Sequence, residues 1–126
     1  MIINYFKEEK LSKSGFLEYV LRDAMQEIRG VTARAMFGGY GLYKDGVIFA
    51  IIVDDQLYFK ADEKNRPAYE EKGSKPFTYE AKNRKRVAMS YWELPSEILE
   101  DRELLTDWVE ASLSASRRKT KTVKEF

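Results

Sequence analysis

The 126-residue sequence contains no cysteine and no histidine. Disulfides, thiolate nucleophiles, Cys/His zinc sites and every histidine-dependent triad are thereby excluded. General acid–base work would fall to carboxylates, lysines or tyrosines. No apolar run approaches the ~20 residues that span a bilayer. Met1 to Lys10 lacks the basic region followed by an apolar stretch that marks a secretory signal. A cytoplasmic protein with no membrane segment is the expectation. A concentrated basic field is also missing from the body of the chain. The net charge is +1, but residues 117–126 hold five basic groups and one acid, so the remainder carries about −3. Duplex-DNA binders usually present clustered cations, because phosphate contacts dominate their affinity.

With 44% hydrophobic and 34% charged residues, the composition is that of one folded domain able to bury a core unaided. A first helix is expected from Ser12 or Ser14, as cap, to Arg29, with Leu17, Val20, Leu21, Ala24 and Ile28 on one stripe and Gly30 as its stop. The period then changes to two. Strands are expected over Thr32–Met36, Tyr40–Lys44, Val47–Val53 and Gln56–Lys60, with Asp45-Gly46 and Asp54-Asp55 as hairpin turns. Val47–Val53 is almost unbroken apolar sequence and reads as the central strand. Asp62 opens a short helix that tolerates Pro67 in its first turn and ends at Gly73. Strands follow over Phe77–Ala81 and Arg86–Trp92, joined at Asn83-Arg84. A last helical region starts at Pro95-Ser96, breaks near Asp101, and buries Leu104, Leu105, Trp108, Val109 and Ser112. Its acidic front and basic end suit the helix dipole. The order is α, three or four strands, α, two strands, α. Consecutive hairpins predict a mostly antiparallel five- or six-stranded sheet with helices on one face, a two-layer α+β sandwich. Residues 1–116 form the domain and 117–126 a disordered basic tail.

No convergent set of titratable groups can be named, so no catalytic residue, cofactor or metal is assigned and the chain reads as non-enzymatic. Asp54-Asp55, the nearest candidate for a carboxylate metal site, reads first as a turn. Gly38, Gly39 and Gly41 lack the Lys-Ser/Thr and the following helix of a phosphate loop, and read as a bulge or tight turn under Phe37 and Tyr40. Two surfaces remain. Lys82, Arg84, Lys85 and Arg86 cluster at a hairpin tip beside Tyr79 and Tyr91, a combination suited to single-stranded nucleic acid. The sheet is rich in aromatics, and those facing away from the helices, with Tyr58, Tyr79 and Tyr91 among the candidates, would offer a surface to a protein partner or a second copy of the chain. Arg34 is either an anion or nucleic-acid contact on that sheet or a structural arginine paired with a carboxylate, its aliphatic stem buried.

The run Arg34–Tyr43, RAMFGGYGLY, together with Leu57-Tyr-Phe-Lys60, Asn65-Arg-Pro67 and Lys75-Pro-Phe-Thr-Tyr79, resembles the N-terminal domain of the TfoX/Sxy proteins, regulators of natural competence. The resemblance covers roughly residues 16–113. It implies the same α+β layout and a non-enzymatic module in transcriptional regulation of competence. Family members carry a second, helical C-terminal domain. This sequence ends about ten residues after its last expected helix, so a stand-alone N-terminal-like domain is the expectation. The two functional expectations are a protein-interaction module and, as the alternative, a small nucleic-acid-binding module using residues 82–86.

Overall fold

A computed structural model describes residues 15–36, 38–80, 83 and 86–125, with side chains at all of these except 86, 87 and 119–125. The first helix, α1 (Gly15–Tyr19), passes into one π-helical turn, Val20–Ala24. The N–H of Met25 donates to the Val20 carbonyl five residues back at 2.9 Å. Helix was expected to continue to Arg29 on a 3.6-residue period. The wider turn instead lets Val20, Ala24 and Met25 all face inward, and the chain leaves the helix there. The caps expected at Ser12 or Ser14 lie outside the described residues.

Six strands follow: β1 (Val31–Met36), β2 (Gly39–Lys44), β3 (Val47–Val53), β4 (Gln56–Lys60), β5 (Pro76–Glu80) and β6 (Arg86–Glu93). They form one antiparallel sheet in the order β1-β2-β3-β4-β6-β5. The first four make a meander. The β5–β6 hairpin then docks by its second strand, leaving β1 and β5 as the edges. Asp45 and Gly46 both take positive φ, 52° and 85°, as the hairpin signal requires. Asp54 and Asp55 do the same at 52° and 59° with no glycine to relieve them.

The short helix α2 (Arg66–Glu71) starts later than Asp62, with Pro67 in its first turn. Asp62 shapes the preceding loop instead: its carboxylate accepts from the Lys64 N–H at 3.0 Å, and Asn65 Oδ1 accepts from the Asp62 N–H at 2.7 Å. The last helical region is broken as expected, into α3 (Ser96–Leu99) and α4 (Arg102–Glu125). Asp101 supplies the new start, its carboxylate accepting from the Leu104 N–H at 3.1 Å.

Register shows where the core sits. Ala33, Leu42, Ala50, Phe59 and Trp92 are successive cross-strand partners, as are Ala35, Tyr40, Ile52 and Leu57, so these residues share one face. That face meets Leu17 and Val20 of the first helix, Tyr69 of α2, Ile98 of α3, and Leu105, Val109 and Leu113 of α4 in one hydrophobic cluster. The result is the two-layer α+β sandwich that the sequence pattern implied. Phe49 meets Phe59 edge-on at 5.6 Å, filling the centre. Ser112 and Ser116 are buried on α4, and the Ser116 hydroxyl donates to the Ile48 carbonyl, bringing the helix close to β3. Leu104 departs from expectation: it is 42% exposed, because α4 turns Leu105 and Val109 inward and Leu104 away. The helix also runs on through residues 117 and 118, where a disordered tail was expected to begin, and Arg118 is ion-paired to Asp62.

Candidate functional site

The face opposite the helices is built by the other half of each strand. Arg34, Gly41, Ile51, Tyr58 and Glu93 lie in one cross-strand row, and Lys60 stands opposite Tyr91 in another. Phe77 and Tyr79 of β5 and Met89 of β6 belong to the same side by alternation from Thr78 and Ala88. The row is held together through side chains. The Arg34 guanidinium lies 5.4 Å from the Tyr43 ring centroid, Tyr58 meets Phe77 edge-on at 5.0 Å, and the Lys60 ammonium is 5.0 Å from the Tyr91 ring.

The glycine cluster answers three different local demands. Gly38 turns the chain between β1 and β2 with φ +77°. A Cβ on Gly39 would lie 2.1 Å from the Ile52 carbonyl oxygen, so β2 and β3 approach too closely there for any side chain. Gly41 is covered by Met36, Tyr43 and Ile48, where the sequence suggested Phe37 and Tyr40 as the covering residues. Phe37 lies outside the described residues, and Tyr40 packs toward the helices. The strand irregularity itself falls between Leu42 and Tyr43, beyond the glycines.

The candidate residues separate by exposure. Tyr91 is buried, and that burial, with Tyr43 nearby, pushes its hydroxyl up to about 12. Tyr58 is half-buried, its pKa raised by burial and by Glu93 and Asp54. Tyr79 at 45% and Met89 at 38% exposed are large apolar side chains open to solvent at the β5–β6 end of the face. Arg34 is exposed and lies over the Tyr43 ring, and among the described residues no carboxylate pairs with it. Lys82, Arg84 and Lys85 lie outside the described residues, and the side chain of Arg86 is likewise outside them. Met89 was missed by the sequence reading, although β6 alternates and places it on the same face as Tyr91.

A second constellation, also missed, lies where the β4–α2 loop meets the end of α4. Lys60, Ala61, Asp62, Glu63, Lys64, Arg66, Ser90 and Arg118 line a concavity of about 430 Å³. Lys60 is only 9% exposed, and its ammonium donates to Ser90 Oγ at 2.8 Å. Arg118 grips Asp62 with two parallel hydrogen bonds, Nε to Oδ2 at 2.6 Å and an Nη to Oδ1 at 2.9 Å. This pairing is the main reason that the Asp62 carboxyl falls to about 2. Among the described residues no three acidic side chains converge to hold a metal ion, and no helix is long and apolar enough to cross a membrane.

A family model, the TfoX N-terminal domain, matches residues 23–116, taking in the whole sheet and both constellations except Arg118. No curated protein matches the chain.

Proposed function

Because the chain belongs to the TfoX N-terminal domain family, we propose that it is a non-enzymatic interaction module, acting in the cytoplasm on a protein partner in the transcriptional control of competence. The observation that carries this reading is that Tyr79 and Met89, large apolar side chains on neighbouring strands, are both exposed on the face away from the helices. Aromatics and methionine are enriched where proteins meet, and one lost anchor typically costs ~2 kcal/mol or more of binding. Tyr58 and Phe77 extend the surface inward as a packed pair.

The test compares wild type with the double variant Tyr79→Asp, Met89→Asp, after equal melting temperatures have been verified. Light scattering reads self-association, and capture from the native host with cross-links mapped to β5 and β6 reads a partner. The reading expects an assembly that wild type forms and the double variant does not. Salt-sensitive binding of single-stranded DNA or RNA, kept by this variant and lost on changing Arg84, Lys85 and Arg86 to Glu, would refute it in favour of the nucleic-acid module.

A further inference from the structure

We propose that two copies of this chain pair through the open edge of β1, joining their sheets across a two-fold axis at Ala33. Register gives the edge its geometry. The Asp45 N–H donates to the Gly30 carbonyl at 3.2 Å, and Val31 stands opposite Lys44 in the same register. Antiparallel partners alternate between pairs that exchange hydrogen bonds and pairs that do not, so Thr32, Arg34 and Met36 bond to β2. Val31, Ala33 and Ala35 therefore turn their N–H and C=O groups outward, and among the described residues no strand lies beyond them. Such a row is a template for another strand, and folded proteins usually blunt it. The opposite edge carries those devices: β5 opens with Pro76, and its pairing is irregular between Pro76 and Thr78. β1 has no proline, no lysine and no shift in register.

What fits this edge is the same strand run antiparallel. An axis on Ala33 gives the one symmetric register that uses all three outward residues, Val31 against Ala35, Ala33 against Ala33 and Ala35 against Val31, with about six new hydrogen bonds. The side chains complement one another in that register. On the helix side, the exposed Ala35 of each copy meets the half-buried Val31 of the other, so two apolar side chains cover each other. Ala33 and Ala35 are small enough to let the strands close. On the other side Arg34 meets the neutral Thr32, whereas an axis on Arg34 would set like charges face to face. Arg34 is also drawn over its own Tyr43 ring, 5.4 Å from the centroid. Each contact is made twice, as a two-fold interface requires. The six-stranded sheet is thereby doubled, with the two Tyr79–Met89 surfaces at its far ends. The pairing is independent of what those surfaces bind.

The experiment is sedimentation equilibrium of the full chain up to millimolar concentration. Wild type, Ala35→Pro, Ala35→Lys and the double variant Tyr79→Asp, Met89→Asp are compared. Proline at position 35 removes an outward N–H and leaves the bonds to β2 in place, and lysine there blunts the edge with a charge. Wild type is expected to dimerise. Each Ala35 variant should weaken the dimer by about tenfold or more, because the change acts on both copies. The double variant should dimerise as wild type does. A sample mixed from labelled and unlabelled chains should show a nuclear Overhauser contact between the α-protons of Thr32 in one copy and Arg34 in the other, since that pair is closely spaced and not hydrogen-bonded. Ala35→Lys keeps the test decisive if Ala35→Pro does not fold. A wild type that stays monomeric overturns the proposal, including one whose outer β1 amides resist exchange because another segment of the same chain holds the edge. A dimer that both Ala35 variants keep at full strength overturns it too, and if the double variant loses that dimer, self-association belongs to the Tyr79–Met89 surface.

Discussion

The bidentate pair between Arg118 and Asp62 fastens the end of α4 to the loop after β4, and its contribution can be worked out and measured. The Asp62 carboxyl falls from 3.8 to about 2, with the Arg118 hydrogen bonds as the largest cause and the Lys64 N–H assisting against the opposing effect of burial. At ~1.4 kcal/mol per pKa unit the shift corresponds to an upper bound of about 2.5 kcal/mol. Arg118 is 37% exposed and Asp62 23%, so water and salt screen the pair, and about 1 kcal/mol is the realistic coupling.

The assay is a double-mutant cycle of Asp62→Asn and Arg118→Gln, read by urea unfolding. The folded-state pKa is depressed, so the stabilisation is fully present above about pH 4. It is lost as pH falls through about 2, where the carboxyl protonates in the folded protein too. A coupling of about 1 kcal/mol at pH 7 should therefore shrink toward zero near pH 2, and raising salt at pH 7 should reduce it only in part. Zero coupling at pH 7, or coupling that grows on acidification, would refute the reasoning. The first outcome would mean that α4 does not hold Asp62 in solution. The second would mean that some other group controls the acid response.

Three further outcomes follow from the fold. Gly39→Val should cost about 3 kcal/mol or more, since its Cβ has no room beside the Ile52 carbonyl and that neighbour is backbone; an unchanged thermal midpoint would show that β2 and β3 are farther apart. Leu17→Ala and Val20→Ala should each cost roughly 2–4 kcal/mol in urea unfolding, and Trp108→Ala, half-buried edge-on to Tyr69 at 4.7 Å, a comparable amount; a position whose loss leaves the midpoint unmoved does not face the core. Asp55→Gly should stabilise the protein by about 1 kcal/mol by relieving the left-handed backbone at φ 59°, and a lower melting temperature would contradict that turn geometry.

Much of the fold was legible because hydrophobic period and turn chemistry are local. Val47–Val53 showed itself by its unbroken apolar run, and β3 is the strand with Phe49 through Ile52 all buried. Asp45-Gly46 encoded its own turn. What misled was structure that depends on tertiary packing. Helical spacing carried the first helix to Arg29, whereas the π-helical turn ends it at Ala24, with Met25 buried just beyond it. Leu104 and Leu105 are equally apolar, and the sheet beneath α4 selected only one.

The candidate sites show the same division more sharply. Tyr58, Tyr79 and Tyr91 look alike in sequence, yet the fold buries one, half-covers another and leaves Tyr79 open. Their separation depends on β6 lying between β4 and β5, an order that no local signal encodes. The concavity beside Lys60 was less visible still. Lys60 and Asn65-Arg-Pro67 stood out as a pattern, but their chemistry needs Ser90, thirty residues from Lys60, and Arg118, fifty-six from Asp62. Arg118 was read as part of a tail because a basic run at the end of a chain is usually a frayed helix end, with nothing local to name a partner. The structure gives that charge a specific partner, and in doing so closes the wall of a pocket. The loop from Lys60 to Arg66 is thereby fastened to α4, and the Asp62–Arg118 cycle measures that fastening.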